Sequence, residues 1–209
     1  MTRRIVVGIS GASGAAYAKR LIECLVSAEQ DTHVICSPHG RQLFNDELNI
    51  TQVTRQTLIG RDSSHLTIHP YNNLSSVLAS GSFMTEGMII VPASMNTLGA
   101  VAAGLSDNLM TRAAQVTLKE RRRLIIVPRE MPFGHIDLQN MLRISEAGGI
   151  VCPANPGFYL LPQKIGDLID FVVAKLLDLV HVPHQLNNRW EGAPPALDDA
   201  KSRDSATDP

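Results

Sequence analysis

Short apolar runs alternate with longer stretches of helical spacing along most of the chain. Residues 5–9 form a β-branched apolar run, and residues 15–27 place Leu21, Leu25 and Val26 on one helical face. Residues 32–36 read as a second strand, so the chain opens as strand–loop–helix–strand, the signature of a parallel pair with a right-handed crossover. A helix is expected over residues 40–48. Residues 50–80 are polar and hold no sustained period, which predicts a loop-rich crossover with a short helix. The fully apolar run 88–91 predicts a buried parallel strand ended by Pro92. Helices follow at 98–103 and 109–119, with Asp107 as the expected N-cap of the second. A strand at 124–127 ends at Pro128. A helix at 136–147 closes on Gly148 and Gly149, and a strand occupies 150–152. The last helix, 165–180, has Ile165, Leu168, Ile169, Val172, Val173, Leu176 and Leu177 as its apolar positions.

The alternation of strands and helices along the chain predicts a single α/β domain of Rossmann-like or flavodoxin-like form, an open parallel sheet with helices on both faces. The domain is expected over residues 1–190. Residues 191–209 are rich in Pro, Ala, Asp, Lys and Ser and carry little apolar payload, so a disordered tail is expected there.

Composition narrows the function classes. The chain has 209 residues, a formal net charge of −1 and 4% aromatic residues, which argues against a basic or base-stacking nucleic-acid surface. Arg3 and Arg4 precede an apolar stretch, but Gly11 and Gly14 interrupt it, so strand–turn–helix fits better than a secretory signal. No run approaches the length of a membrane span. Cys24, Cys36 and Cys152 are far apart with no zinc spacing, so no metal site is expected. They read as small buried hydrophobes in a reducing cytoplasm.

In such a sheet, ligands bind beyond the carboxyl ends of the strands, and polar residues cluster in those loops. Gly8-Ile-Ser-Gly-Ala-Ser-Gly14 follows the first strand and opens a helix, where backbone N–H groups favour an anion. It differs from the dinucleotide fingerprint because its glycines are spaced by three. Ser37 follows the second strand, either as a helix cap or as a ligand contact. Ser94-Met-Asn-Thr97 offers hydroxyl and amide groups beside a fresh helix start, a phosphate cradle. Pro128-Arg-Glu-Met-Pro132 holds a charged pair between two prolines. The cations Arg121, Arg122 and Arg123 read as a solvated helix end. Tyr159 can pack or donate to a phosphate. Lys175 falls among the apolar positions of the last helix, where an ammonium needs either a snorkelling stem or an anionic ligand.

Taken in order, Gly11-Ala-Ser-Gly14, Ser37, Ser80-Gly-Ser82, Ser94-Met-Asn-Thr97, Thr111-Arg-Ala-Ala114, Leu118-Lys-Glu-Arg121, Val127-Pro-Arg-Glu-Met-Pro132 and Gly157-Phe-Tyr159 resemble the UbiX-type flavin prenyltransferases. These lie within the flavin-containing cysteine decarboxylase-like group. The resemblance runs from about Ile5 to Trp190, and the segment from Leu118 to Glu130 is its most specific part. It implies an enzyme that joins dimethylallyl monophosphate to reduced FMN without a metal. The prenylated FMN would pass to a UbiD-type decarboxylase. It implies FMN contacts at Gly11, Ala12, Ser13, Ser37, Ser94, Met95, Asn96, Thr97 and Arg129, and prenyl-phosphate contacts at Lys119, Arg129, Tyr159 and Lys175. Ser13, Glu47, Lys119 and Glu130 would be catalytic, with Glu47 and Glu130 as acid–base carboxylates. Arg112 and Trp190 match further positions near the site. A symmetric homo-oligomer is implied, often a dodecamer, with sites at protomer contacts.

Two positions depart from the family pattern. The family usually has arginine where Lys175 stands, and a point charge grips phosphate less well than a guanidinium fork. Pro38-His-Gly40 replaces the usual Lys/Ala-rich helix start. Two other readings stand beside the first. One is a flavin-dependent cysteine decarboxylase using His39, His65 or His69. The other is an FMN-binding carrier subunit without chemistry of its own.

Overall fold

The computed structural model describes residues 3–186. Trp190 and the expected tail at 191–209 lie outside the described residues. The elements run β1 (Arg4–Ile9), α1 (Ala15–Ser27), β2 (Asp31–Cys36), α2 (Pro38–Leu48), α3 (Arg55–Ile59), β3 (Leu66–His69), β4 (Gly87–Ala93), α4 (Met95–Ala102), α5 (Leu109–Lys119), β5 (Arg123–Pro128), α6 (His135–Glu146), β6 (Ile150–Val151) and α7 (Ile165–Leu179). One 3₁₀ turn, Val77–Ala79, lies between β3 and β4.

The strands form one parallel sheet in the order β3-β2-β1-β4-β5-β6. Successive side chains on a strand point to opposite faces, and both faces are apolar. Ile5, Val7 and Ile9 of β1, with Ile89, Val91, Ile125 and Val127, enter a core shared with α1, α2, α3 and α7. Val6, Met88, Ile90, Leu124 and Ile126 enter the opposite core, under α4, α5 and α6. That double burial is why the central strands read as continuous apolar runs. The chain reverses direction across the sheet between β1 and β4, so the loops after these strands diverge and open a crevice at that switch point.

Several expectations change. The polar stretch 50–80 contains α3 and also a strand, β3. Its residues are half-buried apart from Leu66, and it sits at the sheet edge, where no two-sided apolar run is needed. The N-cap of α5 is Asn108, which accepts from Thr111 N–H at 3.0 Å; Asp107 instead accepts from the Thr111 hydroxyl at 3.2 Å. Pro92 and Pro128 lie within the last residues of β4 and β5 rather than beyond them. Ile165 is exposed at the start of α7, while Val172, Val173, Leu176 and Leu177 carry the buried face. Cys36 is buried and Cys24 and Cys152 are half-buried, all three unpaired. No helix among the described residues is long and apolar enough to cross a membrane, and they hold no cluster suited to a metal ion.

Candidate functional site

The crevice is built around a serine that the sequence reading left without a role. Ser10, at the end of β1, is buried; its hydroxyl donates to Pro92 O at 3.1 Å and accepts from Ser94 N–H at 2.8 Å. Ser10 N–H also donates to Pro92 O, at 3.2 Å. One side chain thus ties the first loop to the fourth and sets the width of the crevice. A serine in a glycine-rich turn looks like any turn residue, so only its contacts mark it.

Two helices begin at this crevice, and their amino ends are used differently. The N-cap of α1 is Gly14, at φ 123, a backbone conformation that favours glycine. Gly14 has no side chain to cap the helix. Glu47 of α2 does so instead, accepting from Gly14 N–H at 3.0 Å and Ala15 N–H at 2.8 Å. A carboxylate at this end also complements the helix dipole. Helix α4 is capped by its own Ser94, whose hydroxyl accepts from Thr97 N–H at 3.3 Å and donates to the Thr97 hydroxyl at 3.1 Å. The first N–H groups of a helix have no intrahelical acceptor, and those of Met95 and Asn96 open this helix at the crevice. Ser94 and Thr97, the expected cradle residues, thus stand together at this helix start and bond to each other as a cap.

The other expected contacts sort by position. Ala12 is buried and Ser13 exposed in the first loop. Gly11 lets α2 approach closely, since a Cβ there would come within 2.6 Å of His39 Cβ. Ser37 is buried and caps α2, accepting from Gly40 N–H at 3.0 Å, so it follows the capping reading while still standing at the strand end. Arg129 reaches back from the end of β5 and donates through Nε to Ser13 O at 3.3 Å. Glu130 is exposed beside it, its carboxylate accepting from Met131 N–H at 3.2 Å. Tyr159 packs edge-on against Phe171, ring centroids 5.6 Å apart, in the loop before α7.

Lys119 is not with them. It ends α5, just before β5 begins, whereas Arg129 and Glu130 follow the end of β5. Six residues at a rise of ~3.3 Å separate the two ends by about 20 Å. Within one protomer, Lys119 therefore stands at the opposite edge of the sheet from Glu130, and the expected catalytic set is split. Lys175 also differs from expectation. It is exposed on α7, so no apolar surroundings penalise it, and its charge acts on the Cys152 thiol beside β6. Of the three cations read as a solvated helix end, Arg122 is half-buried and donates to Gly81 O and Phe83 O.

Two of the three histidines considered for cysteine decarboxylation are engaged elsewhere. His65 lies 3.0 Å from Asp31, and His69 pairs with His33 at 3.0 Å and with the Ser76 hydroxyl at 3.0 Å, both at the β3 edge. His39 is exposed over Gly11.

Residues 1–177 match the family described as Flavoprotein. The chain is 47% identical over 191 residues to the flavin prenyltransferase UbiX of Thermoplasma acidophilum, an alignment covering 90% of this chain and 99% of that protein. Among solved structures, it resembles AnUbiX (PadA1) in complex with FMN and dimethylallyl pyrophosphate. That match has a TM-score of 0.82 and 36% identity, covering 93% of this chain and all of the other. A dodecameric FMN-dependent UbiX-like decarboxylase from Escherichia coli O157:H7 matches with a TM-score of 0.80 and 36% identity, over 90% of this chain and all of that one.

Proposed function

The chain belongs to the UbiX-type flavin prenyltransferases of the Flavoprotein family, and from that premise we propose that it joins dimethylallyl monophosphate to reduced FMN. The observation that carries the reading is the unequal use of the two helix starts at the β1/β4 crevice. Glu47 already fills the amino end of α1, so the N–H groups of Met95 and Asn96, with the Ser94 and Thr97 hydroxyls beside them, would hold the FMN phosphate. Gly11, Ala12, Ser13, Ser37 and Arg129 would hold the flavin ring. The donor set fits the group: a phosphate meets N–H and hydroxyl donors at one end, and Glu47 and Ser13 stand at the other.

Reduced FMN, when bound, supplies the electron-rich ring that accepts the prenyl carbon. The chain's own residues manage charge and protons around it. Breaking an allylic carbon–oxygen bond leaves negative charge on the departing phosphate, which cations and an acid must stabilise. Arg129 and Tyr159 meet that phosphate from the crevice side, and Glu130 supplies or holds the proton. Ser13 and Glu47 relay a proton at the flavin N5 end. Lys119 serves the same phosphate from a neighbouring copy, because its own protomer holds it at the far edge of the sheet. The site is therefore completed in a homo-oligomer, which the dodecameric relative supports. Lys175 adds a further cation near the prenyl phosphate.

The prenylated flavin passes to a UbiD-type decarboxylase in the cytoplasm, a compartment that suits three unpaired cysteines. The test is to incubate the protein anaerobically with reduced FMN and dimethylallyl monophosphate, then offer the flavin to a UbiD-type apo-decarboxylase. Carbon dioxide release from an unsaturated acid supports the reading. A decarboxylase that stays silent with a flavin shown to be bound would leave a carrier without chemistry.

A further inference from the structure

The edge of the sheet opposite the crevice carries a charged cluster of its own. There the turn Ser80-Gly81-Ser82 is lashed to α5 and to the start of β5. Arg112 Nε donates to Ala79 O at 3.1 Å, and Arg122 donates to Gly81 O at 2.5 Å and to Phe83 O at 2.9 Å. The hydroxyls of Ser80 and Ser82 are 2.8 Å apart. Lys119 Nζ lies over this turn, paired with the Glu120 carboxylate. The pair rests where Gly81 has no side chain: a Cβ at 81 would overlap the Glu120 carboxylate and come within 3.0 Å of Lys119 Nζ.

Lys119 holds the Glu120 carboxyl below the usual carboxylate range, first by hydrogen bonding and then by charge, and Arg122 adds to the effect. Glu120 is thus an anion held by cations against a turn that carries two hydroxyls. Those are the groups a phosphate monoester would seek: an ammonium, a guanidinium and small hydroxyls on a turn. We propose that the Glu120 carboxylate is a resident anion of the Lys119 seat, one that a prenyl phosphate must displace before Lys119 can grip it.

The inference rests on Lys119 serving the prenyl phosphate, as argued above, and adds selection to that seat. A phosphate dianion carries more charge and more acceptor oxygens than a carboxylate, so it displaces Glu120; a singly charged small anion does not. After transfer, the returning carboxylate competes with inorganic phosphate and helps release it. Gly81 is the feature that makes room for this exchange.

The experiment uses the assembled protein as wild type, Glu120→Gln, Lys119→Ala and the double variant, at low ionic strength. Binding of inorganic phosphate is followed by ³¹P line broadening, which needs no turnover. Glu120→Gln should tighten inorganic phosphate binding about two- to five-fold, the range set by one exposed ion pair. The gain should vanish in added salt and in the double variant. The KM for dimethylallyl monophosphate should fall by a similar factor. Unchanged or weaker phosphate binding in Glu120→Gln would overturn the proposal, as would a gain that survives loss of Lys119. If the wild type transfers no prenyl group, the prenyltransferase reading fails separately, and the phosphate-binding series still decides the role of Glu120.

Discussion

Glu47 Oε2 accepts a hydrogen bond from Ala15 N–H at 2.8 Å, so a side chain from α2 closes the amino end of α1 across 32 residues of sequence. The same carboxylate accepts from Gly14 N–H at 3.0 Å. Structure and chemistry meet in this one group: it caps a helix and stands beside Ser13, the residue offered for proton relay. Glu47→Ala should lower stability by about 1 kcal/mol, the ordinary worth of an N-terminal cap. Glu47→Gln keeps an acceptor oxygen and should cost less. Both should slow flavin modification. Urea denaturation and turnover measured together separate the two roles, and a fully active Glu47→Gln protein would reduce Glu47 to a cap.

Ser10 offers a second test. Its hydroxyl is the acceptor for Ser94 N–H in a buried position between β1 and β4. Ser10→Ala leaves that N–H without its acceptor, at a cost of roughly 1–3 kcal/mol. The loops should also spread, so FMN should be retained less well. Equilibrium dialysis of FMN against the variant checks this, and wild-type retention would show that the clamp does not set the crevice.

Much of this arrangement was legible in the sequence, for physical reasons that can be named. The strands β1, β4 and β5 are buried on both faces, so Ile5–Ile9 and the apolar runs ending at Pro92 and Pro128 could hardly be read otherwise. Ser94 was read at a fresh helix start, where it serves as the N-cap of α4. By contrast, β3 was missed because Thr67, Ile68 and His69 are half-buried at an edge and carry no two-sided apolar pattern. The role of Ser10 depends on a contact 82 residues away. Lys119 and Glu130 were grouped by the family resemblance, and the strand between them sets them at opposite ends of β5 in one protomer. Lys175 looked buried because the residues around it are apolar, yet it lies on the outer side of its helix.

The β3 edge should make the protein acid-sensitive. His33 Nδ1 lies 3.0 Å from His69 Nε2, and among the described residues His33 Nε2 is buried without a hydrogen-bond partner. Burial, and then the charge of His69, push His33 down to about 4; Arg4 adds to this and Asp31 opposes it. His69 is also lowered by burial. In the unfolded chain these imidazoles take up protons near pH 6.5, while the folded protein resists them. The stability they confer is therefore complete above that pH and falls as the pH drops from about 6.5 toward about 4. Urea midpoints across that interval should decline, and His33→Gln should flatten the decline. An unchanged slope in the variant would remove His33 from the explanation.

The split between Lys119 and Glu130 predicts complementation between copies. Lys119→Ala and Glu130→Gln should each keep FMN bound and lose flavin modification. Assembled together from a denatured or co-expressed mixture, they should regain part of the activity, because some sites then draw an intact Lys119 and an intact Glu130 from different protomers. A mixture as inactive as its parents would place both residues in a site built by one chain.

The most direct measurement is the mass of the bound flavin after the purified protein is incubated anaerobically with reduced FMN and dimethylallyl monophosphate. A gain of one five-carbon prenyl unit, lost in Glu130→Gln while FMN remains bound, is the predicted result. FMN of unchanged mass, bound by an assembled protein with both substrates present, would contradict the assignment of a flavin prenyltransferase.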